Sequence, residues 1–336
     1  MDDSDVIILK SLLASRDKYI SGNLLAKKVG ISRVGIWARL EKLREQGFIF
    51  DAVRHRGYRI SQEPRELNAS LIRAYLGLES SSTKIVFFPE IDSTNSEAER
   101  QLADGREVPF IIMASKQQVG RGRLGRKWHS PEEGNIYMSY VFRPELPPAR
   151  MLPFTLWMGL NICELLNSIC DLPVELKWPN DLVLKKKKVA GILTEARVDA
   201  DQMRDLVFGL GLNVNSNCKQ WPSEIAANAT SLASEIGNPL QINHFAATLV
   251  IAGVKAYEQF SGGKYNANFF ELWSRYNALR SKIVTVKTQT SSLSGKVEGI
   301  DEEGSLLLKD EHDKKHVLRA GEVSLGSAET LSCLSP

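Results

Sequence analysis

Apolar positions in the first sixty residues recur at helical spacing three times before the pattern changes. Ile8, Leu9, Leu12 and Leu13 make one stripe, Leu24, Leu25 and Val29 a second, and Ile36, Leu40 and Leu43 a third. Ser21 and Ser32 stand where the second and third helices need a side-chain oxygen for their first N–H groups. Gly30-Ile31 makes the turn between them and Gly47 stops the third. Phe48-Ile49-Phe50 and Tyr58-Arg59-Ile60 then read as short strands around the basic tip Arg54-His55-Arg56-Gly57. Three helices and a basic hairpin are the order of a winged helix-turn-helix, which we assign to residues 1–63.

After Ser61–Glu66, polar with one proline and read as a linker, the pattern alternates. Phe110–Ser115, Asn135–Phe142, Val174–Trp178, Val189–Glu195 and Val207–Val214 have strand character, while 152–170 and 243–260 have helical spacing. Residues 67–275 thus read as an α/β or α+β domain around one core. From about residue 278 helix signals vanish. The runs Ile283–Lys287, Gly295–Ile300, Ser305–Lys309 and His316–Leu318 predict a small β-barrel or sandwich over 278–330.

Composition narrows the class. The chain has 336 residues, enough for two or three domains, and its 43% hydrophobic and 25% charged residues are those of an ordinary globular protein. No apolar run approaches the roughly 18 residues of a membrane span, and the acidic N-terminus is no signal peptide, so a cytoplasmic protein is expected. Cys163, Cys170, Cys218 and Cys333 are spaced for neither zinc nor a disulfide framework. The net charge of +3 is unevenly spread. Residues 1–60 hold twelve Lys and Arg against seven Asp and Glu, a local excess of +5 that points to a polyanion for this segment.

The stretch Gln117-Gln118-Val119-Gly120-Arg121-Gly122-Arg123-Leu124-Gly125-Arg126-Lys127-Trp128 carries the most chemistry. Gly120, Gly122 and Gly125 satisfy the dinucleotide-binding spacing, but cations fill the gaps and Trp128-His129-Ser130-Pro131 opens no helix, so that reading is rejected. Glycines that let the backbone close in, with Arg121, Arg123, Arg126 and Lys127 among them, suit a loop that grips carboxylate and phosphate together. A second stretch, Lys177-Trp178-Pro179-Asn180-Asp181, is a turn between strands. The run Lys185–Lys188 after it is a hairpin tip, mostly solvated, with Lys188 placed to turn inward and Gly191 to admit a ligand. Asp92-Ser93-Thr94-Asn95 offers short hydrogen-bonding side chains at a strand end. Gly209 to Asn215 is a strand ending in two amides.

At these residues the chain resembles the bifunctional biotin–protein ligase and biotin-operon repressor family, over nearly its whole length. The resemblance implies a multidomain α+β protein. It would have an N-terminal winged helix-turn-helix, a class II synthetase-like biotin ligase domain with a seven-stranded mixed sheet, and a C-terminal SH3-like β-barrel. It implies ATP, Mg²⁺ and biotin, with biotinyl-5′-AMP as intermediate. The partners implied are the biotin carboxyl carrier protein of acetyl-CoA carboxylase, operator DNA, and a second copy of the chain once the adenylate is bound. Ser93, Thr94, Asn95 and Gln117 would meet the ureido ring of biotin; Arg121, Gly122 and Arg123 would line the carboxyl and phosphate region. Lys188 would contact the biotin carboxyl or α-phosphate beside Gly191. Trp128, Asn180 and Asn213 would lie near adenine and ribose, and Arg126 at the outer phosphates. The family carries an arginine where Gly326 stands, which puts a nucleotide contact there in doubt. The Mg²⁺ ligands are not identified.

Adenylation needs no enzymic nucleophile, because the biotin carboxylate attacks the α-phosphorus. Arg121, Arg123 and Lys188 have only to bring two anions together and stabilise the developing charge. The acceptor lysine, with a reference pKa of about 10.4, arrives protonated. Asp181 either orients or deprotonates it, or merely stabilises its turn. For DNA, Ser32 and Arg33 open the third helix toward phosphate and Arg54, His55 and Arg56 form the wing, while Trp37 either reads a base edge or packs. Three rivals stand beside this reading: a lipoate–protein ligase, a regulator whose ligase fold only senses biotin, and a working ligase with a vestigial DNA domain.

Overall fold

The computed structural model describes residues 3–78, 83–130, 134–199, 202–288 and 291–325. Its N-terminal part follows the periodicity. Helices α1 (Asp3–Leu13), α2 (Gly22–Val29) and α3 (Arg33–Glu45) are followed by β1 (Ile49–Val53), paired antiparallel with β2 (Gly57–Gln62). Ser21 Oγ accepts from the Leu24 N–H and Ser32 Oγ from the Gly35 N–H, the expected caps. Ile36, Leu40 and Leu43 are fully buried.

The polar stretch 61–66 is not the loose linker its composition predicts. One buried amide, Asn243, donates to the carbonyls of Pro64 (3.2 Å) and Glu66 (2.9 Å) and accepts from the Asn68 N–H (2.7 Å). Helix α4 (Ala69–Leu78) lies directly behind, and α1 packs on it through Ile8, Leu9, Leu12 and Leu13, all buried. Arg16, Glu63 and Tyr75 close the joint: Tyr75 donates to Glu63 Oε1 at 2.5 Å, and Arg16 reaches both. The burial of Tyr75 raises its phenol pKa, and the carboxylate of Glu63 adds to the effect. One hydrophobic cluster consequently runs from α1 into the centre of the molecule.

The central elements are β3 (Ile85–Ile91), α5 (Thr94–Ala103), β4 (Phe110–Gln117), β5 (Gly120–Arg121), β6 (Lys127–Trp128), β7 (Asn135–Phe142), α6 (Phe154–Cys170), β8 (Val174–Lys177), β9 (Asp181–Leu184), β10 (Lys187–Asp199), β11 (Gln202–Asn213), α7 (Ser223–Asn228), α8 (Leu232–Ile236), α9 (Ile242–Ser261) and α10 (Asn266–Tyr276). Seven strands form a mixed sheet in the order β3-β4-β7-β11-β10-β9-β8, in which only β3 and β4 run parallel. Successive side chains alternate between its faces. Ile136, Met138, Tyr140, Ile192, Leu210 and Leu212 belong to the large cluster with α6 and α9. The opposite face carries α5 over a small cluster of Ala98, Leu102, Phe110, Ile112, Val141 and Val207, and then opens into a cleft. No described helix is long and apolar enough to cross a membrane.

Strands β12 (Ile283–Lys287), β13 (Ser292–Ile300), β14 (Leu306–Lys309), β15 (Lys315–Leu318) and β16 (Glu322–Leu325) form an antiparallel sheet ordered β15-β14-β13-β12-β16. The expected SH3-like barrel is not closed among the described residues, because the edge strands β15 and β16 do not pair. The unit is docked on the central sheet: Trp178, buried, donates its indole N–H to the Gly304 carbonyl at 3.0 Å. Gly326 and Cys333 lie outside the described residues.

Candidate functional site

The cleft, of about 240 Å³, sits where β10 loses a side chain at Gly191 and β11 at Gly209 and Gly211. Gly191 and Gly211 are register partners, and a Cβ on either would come within 2.7 Å of the Trp128 indole. That ring lies against the bare strands, with Lys188 Nζ 5.1 Å from its centre. Gly209 makes the same allowance for Asn95, whose Oδ1 a Cβ would meet at 2.3 Å. Gly191 thus receives a side chain of this chain at close range.

One end of the cleft is neutral and polar. Ser93, Thr94, Asn95 and Gln117 are each at most 9% exposed and meet where α5 begins beside the end of β4. Gln117 Oε1 accepts from the Thr94 N–H at 2.9 Å, and Gln117 Nε2 donates to Ser130 Oγ at 3.2 Å. Ser139 lies beneath them on β7, fully buried, its hydroxyl 2.8 Å from Thr94 Oγ1 and 2.5 Å from Asn95 Oδ1.

The other end is cationic. β5 and β6 form a short hairpin stem, Gly120 opposite Trp128 and Arg121 opposite Lys127, from which the glycine loop projects. Arg123 Nη1 donates to Asn180 Oδ1 at 3.1 Å. Asn180 is itself fixed, because its Nδ2 donates to the Ile192 carbonyl at 2.7 Å. Burial pushes the pKa of Arg123 down, and the charges of Asp181 and Glu322 oppose that shift. Lys188 Nζ lies 2.7 Å from Asp181 Oδ1 across the β9–β10 pair. Arg126 reaches over to Glu322 of β16, and Arg121 pairs with Glu195 of β10.

Thirteen expected residues therefore line one cleft: Ser93, Thr94, Asn95, Gln117, Arg121, Gly122, Arg123, Arg126, Trp128, Asn180, Asp181, Lys188 and Gly191. Asn213 does not. It is buried below the sheet end, where its Nδ2 donates to the Thr230 carbonyl at 3.0 Å and its Oδ1 faces Asn135. Ser139, Glu195 and Glu322 were not anticipated. A lone serine or glutamate inside an apolar strand was the available signal for the first two. Glu322 is brought in by a fold contact 196 residues long. The lysine run is less free than expected, since Lys185 pairs with Glu235 at 2.8 Å and Lys187 donates to the Ala226 carbonyl at 3.1 Å.

The second surface is the helix-turn-helix. Ser32, Arg33, Val34 and Trp37 are exposed along α3; Trp37, at 54%, is not packed in the core. Arg54, His55 and Arg56 are exposed at the hairpin tip, with Arg56 stacked 4.6 Å over Tyr19. A bridge between Ile20 and Tyr58 ties the hairpin to the helices.

Known proteins agree with this geometry part by part. Residues 87–213 match the Biotin/lipoate A/B protein ligase family, residues 7–59 an HTH domain, and residues 282–326 the Biotin protein ligase C terminal domain. The first description spans both biotin and lipoate, so whole-chain relatives are needed to divide them. The bifunctional ligase/repressor BirA of Bacillus spizizenii is 31% identical over 96% of this chain and 98% of its own length. That of Escherichia coli is 30% identical over 98% and 100%. Among solved structures, the biotin protein ligase of Aquifex aeolicus in complex with biotin and ATP superposes with a TM-score of 0.61 at 28% identity. It covers 73% of this chain and 99% of that one. Because ligase and helix-turn-helix are matched together, and along almost the full length of those relatives, the chain belongs to the bifunctional biotin ligase and repressor family.

Proposed function

We propose that the chain, a biotin–protein ligase, condenses biotin with ATP in the cleft described above and passes the biotinyl group to one lysine of the biotin carboxyl carrier protein. The observation that carries this is a single cleft with a neutral hydrogen-bonding end and a cationic end. Such a cleft suits a molecule with a polar ring, an apolar middle and a carboxylate that must meet a triphosphate. Ser93, Thr94, Asn95 and Gln117 would hold the ureido ring. Arg123 and Lys188 would hold the reacting carboxylate and α-phosphate, with Gly122 leaving room and Gly191 admitting the Trp128 ring that floors the site. Arg121 would brace the loop, Arg126 would reach the outer phosphates, and Trp128 and Asn180 would flank the nucleotide.

The physical work is charge neutralisation. Lys188 and Arg126 are already paired with Asp181 and Glu322. Incoming phosphate oxygens would exchange for those carboxylates, so little is spent on ordering cations that are ordered beforehand. Asp181, released from Lys188, would then face the acceptor amine as orienting group or base. Mg²⁺ would neutralise phosphate charge. Among the described residues no cluster of three or more His, Cys, Asp or Glu forms a cage, and Mg²⁺ is commonly held by the phosphates themselves with one or two carboxylates and water. Asn213 enters this scheme as a buttress, holding the strand end through Thr230.

Residues 1–63, 67–275 and 278–330 serve as DNA-binding unit, ligase core and an SH3-like module. With the adenylate bound, two copies would pair and present two α3 helices to two half-sites of operator DNA, by way of Ser32, Arg33, Trp37 and the tip Arg54–Arg56. A cytoplasmic location fits these partners. Exchange of labelled pyrophosphate into ATP, with biotin, with lipoate and with neither, tests the chemistry. Biotin-dependent exchange is the expected result; exchange with lipoate alone overturns the substrate, and no exchange leaves a biotin-sensing regulator.

A further inference from the structure

Glu195 does not line the cleft, yet its carboxylate is joined to two residues that do, Asn95 and Arg121. It stands in the middle of β10, opposite Val207, with its side chain about one quarter exposed (26%). Its two oxygens serve different elements. Oε2 accepts from Asn95 Nδ2 at 2.8 Å, at the neutral end of the cleft. Oε1 accepts from Arg121 Nη2, in the strand from which the glycine loop springs.

Each partner is constrained further by its other contacts. Asn95 Nδ2 also reaches the Leu193 carbonyl at 3.3 Å, and its Oδ1 faces Ser139. The amide is therefore held at both ends and cannot turn without breaking the bond to Glu195. Arg121 Nη1 donates to Ser96 Oγ at 3.2 Å and lies 3.5 Å from Glu99, so its guanidinium is drawn toward α5 while Arg123 reaches Asn180. Two arginines two residues apart thus part company: one is fastened to the sheet and helix, the other directed at the turn that carries Asp181.

We propose that Glu195 is a positioning residue that couples the ring-binding end of the cleft to the base of the glycine loop, so that the loop's hold on the adenylate depends on it. The inference rests on the biotin ligase reading above. It makes no new contact with substrate; it fixes Asn95 on one side and the β5–β6 stem on the other.

Two variants of the full chain separate this from a merely structural role. Glu195→Gln keeps an acceptor for Asn95 but loses the charge that holds Arg121; Glu195→Ala loses both. The readouts are biotin affinity and the half-life of enzyme-bound biotinyl adenylate, with melting temperature as the check on folding. Glu195→Gln should keep wild-type biotin affinity and shorten adenylate retention by up to about fivefold, the scale of a partly exposed ion pair. Glu195→Ala should shorten retention as much and weaken biotin binding as well. Wild-type retention in both variants overturns the proposal. So does loss of biotin affinity in Glu195→Gln without faster release, which would confine Glu195 to Asn95. Wild-type protein without biotin-dependent pyrophosphate exchange fails the ligase reading instead, a result visible before any variant is made.

Discussion

Ser139 illustrates how one hydroxyl can set a binding site it never enters. It is fully buried within β7 and lies within hydrogen-bond distance of both Thr94 and Asn95. Removing it leaves two buried polar groups to reorient, a loss of about 1 kcal/mol. Ser139→Ala should therefore raise the KM for biotin roughly fivefold in pyrophosphate exchange while the KM for ATP stays put. Asp181 makes the sharper case. Its carboxylate is paired with Lys188 at 2.7 Å, so Asp181→Asn alters two roles at once. If it acts on the acceptor lysine, adenylate still forms and biotin transfer slows by about a hundredfold. Single-turnover transfer from preformed adenylate measures this, and an unchanged rate would leave Asp181 with its turn alone.

At the scale of the element, charge ties α5 to the segment that precedes it, since Arg100 of its last turn pairs with Asp92. The Arg100 guanidinium, with help from the Ser93 N–H, holds the Asp92 carboxyl below the usual carboxylate range. A depressed folded-state pKa stabilises above the unfolded value and is lost as pH falls through the folded one. Both side chains are nearly half exposed, so the effect is a modest one. Asp92→Asn should melt below wild type at pH 7, and the gap should close as pH drops under about 4. Thermal melts from pH 7 to pH 3 would read this directly. What was legible at this scale is uneven. The helices of the N-terminal unit and the strand Ile283–Lys287 stand where periodicity puts them, because each buries one face, while Asn135–Phe142, buried on both, stands out as an apolar run. β5 and β6 are two residues each and have no period to read. Asn213 looked like a cleft residue because it ends a glycine-rich strand. Its amide is instead taken by Thr230 and Asn135, partners distant in sequence. The loop and turn residues were legible since glycine and cations carry their own geometry; their carboxylate partners Glu195 and Glu322 were not, because only folding selects them.

The whole molecule is joined more tightly than a helix-turn-helix on a tether. Asn243 on α9 satisfies three backbone groups between Pro64 and Asn68, and α4 lies between α1 and α9. Asn243→Ala would strand those groups in a buried joint and should destabilise the chain by about 3 kcal/mol. Limited proteolysis should then cut first between residues 61 and 68, where wild type resists. The same substitution leaves every cleft residue in place, so pyrophosphate exchange below the melting point should persist.

That shared core has a genetic consequence. A screen for lost repression would ordinarily be expected to return changes at Arg33, Trp37 and the basic tip, and a screen for biotin auxotrophy changes in the cleft. Helix α4 belongs to neither surface, yet Leu71, Ile72, Ala74 and Leu76 are buried in the core that joins α1 to the ligase helix α9. Alleles there would be pleiotropic and would complement poorly in either screen. In such alleles the two activities would be lost together.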